Sequence, residues 1–334
     1  MRPVQGQRSR GGRRTPSTVG GRLNPRISTV SIVIPAYNLG RYLAEAIDSV
    51  LGQDYPHVEL MVVDDGSSDQ TAEVLHSYGP SIIWWTQPNA GQAAALNAGW
   101  GRASGEILAY LSADDSLAAS AVSNAVRVLD ADRSVACTYS DYKLVDRHSR
   151  LIRTVRTKDQ AYRRLVENVE CVIGPGAFFR KSLFAQVGGW SEEFRQSPDL
   201  DYWLRAGLAG EFRRIPETLA TFRVHEQSQS YAVGDPARAD EAIAIVDRFF
   251  SRGDLPQSLL PHRRRARAFA RLMAARNHVR DGRYRIAVRK TLDAAMCAPA
   301  TLLSRRAAHL LLNAFFNRAG HRAMSWLRGS ATVR

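Results

Sequence analysis

Four short apolar runs punctuate the first third of this chain, and a helical pattern separates each from the next. They are Val30–Ile34, Val58–Val63, Ser81–Thr86 and Ile107–Leu111, rich in β-branched and aromatic residues and of strand length. Helices are predicted between them at about 41–51, 70–77 and 92–103, the second opened by a capping box in which Ser67 pairs with Gln70. Strand and helix in alternation need crossover connections, which make a mainly parallel sheet flanked by helices, an α/β fold.

What stops these strands points to the site. In an open α/β sheet, ligands bind outside the carboxyl ends of the strands. Two of the runs end in acid pairs, Asp64-Asp65 and Asp114-Asp115, and the first ends in Pro35-Ala36-Tyr37-Asn38. Three polar clusters therefore share one rim. Hard cations such as Mg2+ and Mn2+ take oxygen ligands and use one or two carboxylates beside substrate phosphates, so Asp114-Asp115 is a candidate metal-diphosphate site. The bland alternative is a loop start or a helix N-cap. A dinucleotide domain needs Gly-x-Gly-x-x-Gly after its first strand, and neither that nor a Walker A loop occurs. The Pro35-Ala36-Tyr37-Asn38 turn also lacks the Gly-rich, basic loop of a nucleotidyltransferase.

The pattern continues with a helix at about 117–129, a strand Val135–Tyr139, a charged hairpin-like excursion through Arg147-His148-Ser149, and a Gly174-Pro175-Gly176 loop feeding another strand. A short helix near 181–187 ends at Gly188-Gly189-Trp190. In Ser197–Arg205, Pro198 suits the first helical position, and Asp199 and Asp201 suit the positive end of the helix dipole. A strand Thr218–Val224 leads into His225. From about residue 235 the chain is Ala, Leu and Arg at helical spacing, with helices predicted at 235–250, 258–281, 284–296 and 300–317.

The formal charge of +14 sits at the ends. Residues 1–28 hold seven arginines and no acid, and are rich in Gly, Pro and Ser, so they read as disordered; residues 29–234 hold more acids than bases. That places an anionic surface against the flanks and argues against nucleic acid in the main cleft. Three scattered cysteines without a Cys-x-x-Cys spacing point to reduced thiols and a cytoplasmic setting. No apolar run approaches the ~18 residues that span a bilayer, and no apolar stretch follows Arg13-Arg14 as an export signal requires.

In order and spacing, the run Val30–Asn38, the strand ending Asp64-Asp65-Gly66-Ser67-Ser68-Asp69, the segment Asn89-Ala90-Gly91 through Asn97-Ala98-Gly99, and the box Ser112-Ala113-Asp114-Asp115 resemble family 2 glycosyltransferases. The resemblance covers about residues 29–230. It implies the GT-A fold, with a catalytic domain over 29–234 and a basic helical extension over 235–334. It also implies inverting transfer of a sugar from a nucleotide-sugar donor to a saccharide or lipid-linked acceptor, in polysaccharide or glycoconjugate synthesis.

Carried over residue by residue, the resemblance assigns Pro35, Tyr37, Asn38, Asp65, Asn97 and Asp114 to the nucleotide sugar, with Asp65 accepting from a pyrimidine N–H and Asp114 towards the ribose. Asp115 becomes the main ligand of a divalent cation, Mg2+ or Mn2+, and His225 approaches the same ion or the diphosphate. Asp199 becomes the base that takes the acceptor's proton. Gly176, Trp190 and Asp201 become candidates for the acceptor site; the cluster Phe178, Phe179 and Trp190 sits where relatives shape that site, and it reads equally as core. Two departures stand out: Ser112 and Pro198 replace acids usual in the family. They leave open a catalytically impaired, nucleotide-sugar-binding module as the alternative. The arginine-rich C-terminal helices read either as a face for anionic lipid at the inner side of a membrane or as the solvated side of a bundle.

Overall fold

A computed structural model describes residues 28–225, 228 and 235–312 of this chain. The expected disordered segment lies, but for Ser28, outside the described residues.

The first half of the sheet is parallel, as the alternation predicts. Strand β1 (Val30–Ala36) pairs with β2 (Val58–Asp64) on one side and β4 (Ile107–Tyr110) on the other, and β3 (Ile83–Thr86) pairs with β2. In register, Ala36 lies beside Asp64 and Val33 beside Tyr110, so the three carboxyl ends open onto one rim. The second half is mixed. Its strands β5 (Ser116–Leu117), β6 (Val135–Asp146), β7 (Leu151–Val155), β8 (Phe178–Arg180) and β9 (Glu211–Val224) extend the order as β3-β2-β1-β4-β8-β6-β9-β5, with β7 as a hairpin arm on β6. Both long strands exceed their predicted lengths, because β6 and β9 pair in parallel from Val135–Glu211 to Asp146–Val224 and each protects the polar half of the other.

Helices cover both faces. On β1, Ile32 and Ile34 pack in one core cluster with α1 (Gly40–Leu51) and α4 (Ala121–Ala131), while Val33 packs in the other with α3 (Gln92–Arg102). Adjacent strand residues point to opposite faces, so an unbroken apolar run is what a strand buried on both sides requires. Gly99 lets α3 lie close to β1, since a Cβ there would stand 2.4 Å from Val33 Cγ1. Trp100, fully buried, donates its indole N–H to the Ala109 carbonyl at 3.1 Å and stacks on Tyr202. The predicted capping box before α2 (Thr71–Ser77) does not form: Asp69 accepts from the Thr71 amide at 3.0 Å, and Ser67 accepts instead from the Asn38 amide.

The C-terminal helices α8 (Pro236–Phe250) and α9 (Arg263–Arg280) pack into the same core as α7 (Pro198–Ala206): Ile245, Val246, Phe249 and Phe269 cluster with Tyr202 and Trp203. Helix α10 (Tyr284–Cys297) lies on α9 and buries only Ala287 and Ala294. The fourth predicted helix runs on past residue 312, outside the described residues.

Candidate functional site

A cleft of about 470 Å³ opens at the carboxyl rim, lined by Pro35 and Ala36 at the end of β1 with Tyr37 just beyond it, Asp65 after β2, Ser112, Ala113 and Asp114 after β4, and Asp199 at the start of α7. Segments far apart in sequence thus deliver their acids to one space.

Asp65 is buried and still faces the cleft. Its Oδ1 accepts from Gln87 Nε2 at 2.9 Å and from the Ala90 amide at 3.0 Å, and its Oδ2 accepts from the Gly91 amide at 2.7 Å. The carboxylate therefore pins the 87–91 loop along the cleft and keeps one acceptor direction on Oδ2 for a ligand. Gly91 has φ +93°, and a Cβ there would collide with Arg195, whose Nη1 donates to the Ala90 carbonyl at 2.6 Å. Asp64 is turned inward, accepting from the Ser67 amide and Thr86 Oγ1.

Two residues expected at the donor serve the scaffold instead. Asn38, at φ +53°, accepts from the Ser68 amide at 2.8 Å and ties the β1 turn to the β2 turn without lining the cleft. Asn97 bonds both the carbonyl and the amide of Trp190 at 2.9 Å and so fixes the Gly189-Trp190 backbone.

The two acids after β4 face different ways. Asp114 lines the cleft, and its Oδ2 lies 2.8 Å from His225 Nε2. Asp115, expected as the main cation ligand, is buried behind it, where its Oδ1 accepts from the Arg223 amide at 2.9 Å. Burial, and then the neighbouring Asp114 charge, push its carboxyl well above the usual range. The difference follows from the backbone: the Asp115 amide turns back to the Ser112 carbonyl at 3.0 Å and the chain enters β5, so successive side chains point to opposite sides.

Arg223, absent from the sequence reading, organises this corner. It is buried, donates from Nε to the Asp114 carbonyl at 2.9 Å, and reaches Ser149 Oγ at 2.8 Å and Glu45 at 2.6 Å, with its guanidinium 4.9 Å from the Tyr42 ring. Tyr42 in turn packs against His225 with centroids 5.0 Å apart. An arginine inside the apolar run before His225 was the available signal, since a lone charge facing inward demands partners.

The His225 side chain is fully buried and does not line the cleft; its Nε2 is engaged with Asp114 Oδ2, so of this pair only Asp114 is open to a divalent cation in the cleft, with His225 orienting its carboxylate. No group of three or more His, Cys, Asp or Glu gathers among the described residues, so substrate oxygens or water would complete the shell.

On the opposite wall stand Asp199, Tyr110 and Trp190. Pro198 takes the first helical position, as predicted, and Asp199 follows it in the first turn of α7. Burial raises the Asp199 carboxyl above its ordinary value, and the Cys171 thiol donates to its Oδ2 at 3.9 Å. Tyr110 is held protonated by burial and by the Asp199 charge. Trp190 meets Tyr110 edge to face at 5.0 Å, and its indole N–H has no partner among the described residues.

Asp201 and Gly176 do not reach the cleft. Asp201 is buried between Arg205 at 2.8 Å and Arg248 at 2.7 Å, a bridge from α7 to α8. Gly176 sits at φ +76° against Ala220 and Leu117, inside the sheet. A second residue missed by the sequence reading is Glu241 on α8. It is buried, and it accepts from the amides of Arg195 at 2.8 Å, Gln196 at 2.6 Å and Ser197 at 3.0 Å, the three residues before the Pro198-Asp199 turn.

With that geometry in place, comparison with known proteins gives concordant results. Residues 31–188 match the family model described as Glycosyl transferase family 2, a span that ends before Asp199 and His225. An uncharacterized glycosyltransferase of Rickettsia typhi is 31% identical over 205 residues, covering 59% of this chain and 64% of that one. Chondroitin synthase of Pasteurella multocida is 27% identical over 223 residues, covering 66% of this chain and 23% of the synthase. The chain therefore spans less than two thirds of the length of these relatives. Among solved structures, Staphylococcus aureus TarS 1–349 in complex with UDP-GlcNAc has a TM-score of 0.59 at 18% identity, covering 80% of this chain and 89% of that one. A mannosyltransferase from Pyrobaculum calidifontis in complex with GDP-Man and Mn2+ has a TM-score of 0.56 at 19% identity, covering 87% of each chain. At such identities the likeness is one of fold, and the fold is that of GT-A glycosyltransferases.

Proposed function

We propose that the cleft transfers a sugar, with inversion, from a nucleotide-sugar donor to a saccharide or lipid-linked acceptor, a reading supported by the match of residues 31–188 to the model of glycosyl transferase family 2. The observation that carries this reading is that Asp65, Asp114 and Asp199, from three separate segments, line a single cleft.

Tyr37, half exposed beside Asp65, offers a ring face to the base, and the free lone pair of Asp65 accepts from it. Asp114 would hold a divalent cation, Mg2+ or Mn2+, with His225 orienting its carboxylate; the mannosyltransferase neighbour was solved with Mn2+. When bound, the ion supplies positive charge opposite the departing diphosphate. Asp199 accepts the proton of the acceptor hydroxyl as its oxygen bonds to the anomeric carbon, while the bond to the nucleoside diphosphate breaks and the electron pair leaves with the phosphate oxygen. A carboxyl whose affinity for protons is raised by burial is a stronger base, and the Cys171 thiol orients it. Trp190 offers the acceptor both an aromatic face and an unpartnered indole N–H.

In this reading residues 29–234 form the catalytic unit. The basic region 235–334 makes a peripheral contact with anionic membrane at the cytoplasmic face; among the described residues no helix is long and apolar enough to cross a bilayer. A panel of nucleotide sugars screened by thermal shift with and without Mn2+ tests the proposal. One donor should raise the melting temperature in a Mn2+-dependent way and be consumed slowly by water. A donor bound but never consumed would leave only a binding module, and no stabilisation by any donor would end the proposal.

A further inference from the structure

Helix α10 has an outer face that nothing among the described residues covers. Val288 and Leu292 are each 60% exposed and Met296 is 77% exposed, one helical turn apart in a straight line, and Leu303 beyond the helix end is 90% exposed. Seven of the thirteen large exposed apolar side chains among the described residues fall within 284–312. Contiguous apolar surface of this kind marks an interaction site, in contrast to single exposed residues scattered over a surface.

The charges on that face select the partner. Arg285 and Arg289 stand on the same side of the helix, at i−3 and i+1 from Val288, and Arg305 is exposed next to Leu303; none of the three has a hydrogen bond or ion pair among the described residues. The one acid of α10, Asp293, falls outside the i, i+4 series of the stripe. A second copy docking on this face would bring no acid of the stripe to Arg285 or Arg289, because the one acid of α10 lies off it. The chain's own residues 313–334 hold four arginines and no acid, so laying them on the stripe would also bring like charges together. What complements an apolar line rimmed by unpaired arginines is a surface with negative charge outside and hydrocarbon beneath.

We infer that the Val288–Leu292–Met296 face of α10, with Arg285, Arg289 and Arg305 at its rim, docks in the plane of an anionic phospholipid surface. This rests on the membrane contact of the proposed function and gives it residues. Binding to lipid and transfer of sugar are read separately, so either can fail while the other stands.

The test is sedimentation of the full chain with vesicles of phosphatidylcholine alone and of phosphatidylcholine with phosphatidylglycerol. The protein should pellet with the anionic vesicles, and less so as salt rises. Arg285→Ser with Arg289→Ser should weaken partition by about five-fold per arginine, and Leu292→Ser with Met296→Ser by about 100-fold. Neither pair should lower the melting temperature or change the mass in light scattering. Equal binding to both vesicle types, or undiminished binding by the variants, overturns the inference. A drop in melting temperature or a dimer lost with Leu292→Ser and Met296→Ser also overturns it, because the face would then already be covered by protein.

Discussion

Glu241 gives the site its most demanding test, because it lies on a C-terminal helix and does not itself line the cleft. Its carboxylate accepts from three consecutive amides, those of Arg195, Gln196 and Ser197, at 2.8, 2.6 and 3.0 Å. A hydrogen bond to a charged group contributes about 1.5–3 kcal/mol where it is sheltered. Arg195 is exposed and the other two amides belong to half-buried residues, so water replaces part of the loss in Glu241→Ala. About 1 kcal/mol per bond, or about 3 kcal/mol in all, is the expected cost. For a chain of this size that is a fall of about 4 °C in melting temperature. The functional loss should be larger than the stability loss suggests. The freed loop leads directly into Pro198-Asp199, and an error of about 1 Å in the position of a base costs about 100-fold in rate. Glu241→Gln keeps the bonds on one oxygen but turns an NH2 towards an amide N–H, so it should fall between the wild type and the alanine variant in both measurements. Scanning calorimetry and steady-state transfer with the donor found by thermal shift supply the numbers. If Glu241→Ala melts within about 1 °C of the wild type and keeps its kcat, Glu241 does not hold the Asp199 turn in place.

Other expectations follow from the same geometry. Asp114→Asn should lose the Mn2+-dependent part of donor binding in calorimetric titration, whereas Asp115→Asn should retain most of it, since Asp115 faces Arg223 and not the cleft; the reverse result would restore Asp115 as the ligand. Because burial raises the Asp199 carboxyl above 3.8 and the base must be deprotonated to act, kcat should fall as pH drops through that raised value, with an acidic limb centred above 3.8. A limb at or below 3.8 would assign proton transfer to another group. Asp201→Asn should destabilise by about 2 kcal/mol, less than the 3–5 of a fully buried pair because Arg248 is partly solvated, and should leave donor affinity unchanged; weakened donor binding would return Asp201 to the cleft.

The parallel half of the fold was legible because its signals are local. An apolar run, a stop and a helical period suffice to place β1, β2 and β4 and to bring their carboxyl ends to one rim. The length of β6 and β9 was not legible, since their polar halves are stabilised by each other across about 80 residues, as in Tyr142 beside Ala220. The division of labour between Asp114 and Asp115 was hidden for a different reason. It depends on a turn closed from Asp115 to Ser112 and on an arginine more than a hundred residues away, neither of which leaves a mark in the box itself. Asn38 and Asn97 looked like ligand residues because side-chain amides serve both roles, and only their partners, the Ser68 amide and the Trp190 backbone, tell which. Glu241 and Asp201 show the same limit from the other side: carboxylates that meet backbone amides or buried arginines cannot be told from catalytic ones by residue type.

The central claim is that one cleft holds the donor, the cation and the base. A crystal structure with a nucleoside diphosphate and Mn2+ addresses it most directly, using anomalous scattering to place the ion. The account predicts one strong peak about 2.1 Å from Asp114, with His225 still against that carboxylate, the diphosphate beside the ion, the base against Tyr37 and Asp65, and Asp199 lining the same cleft. An ion on Asp115, or a nucleotide bound outside this cleft, would contradict it.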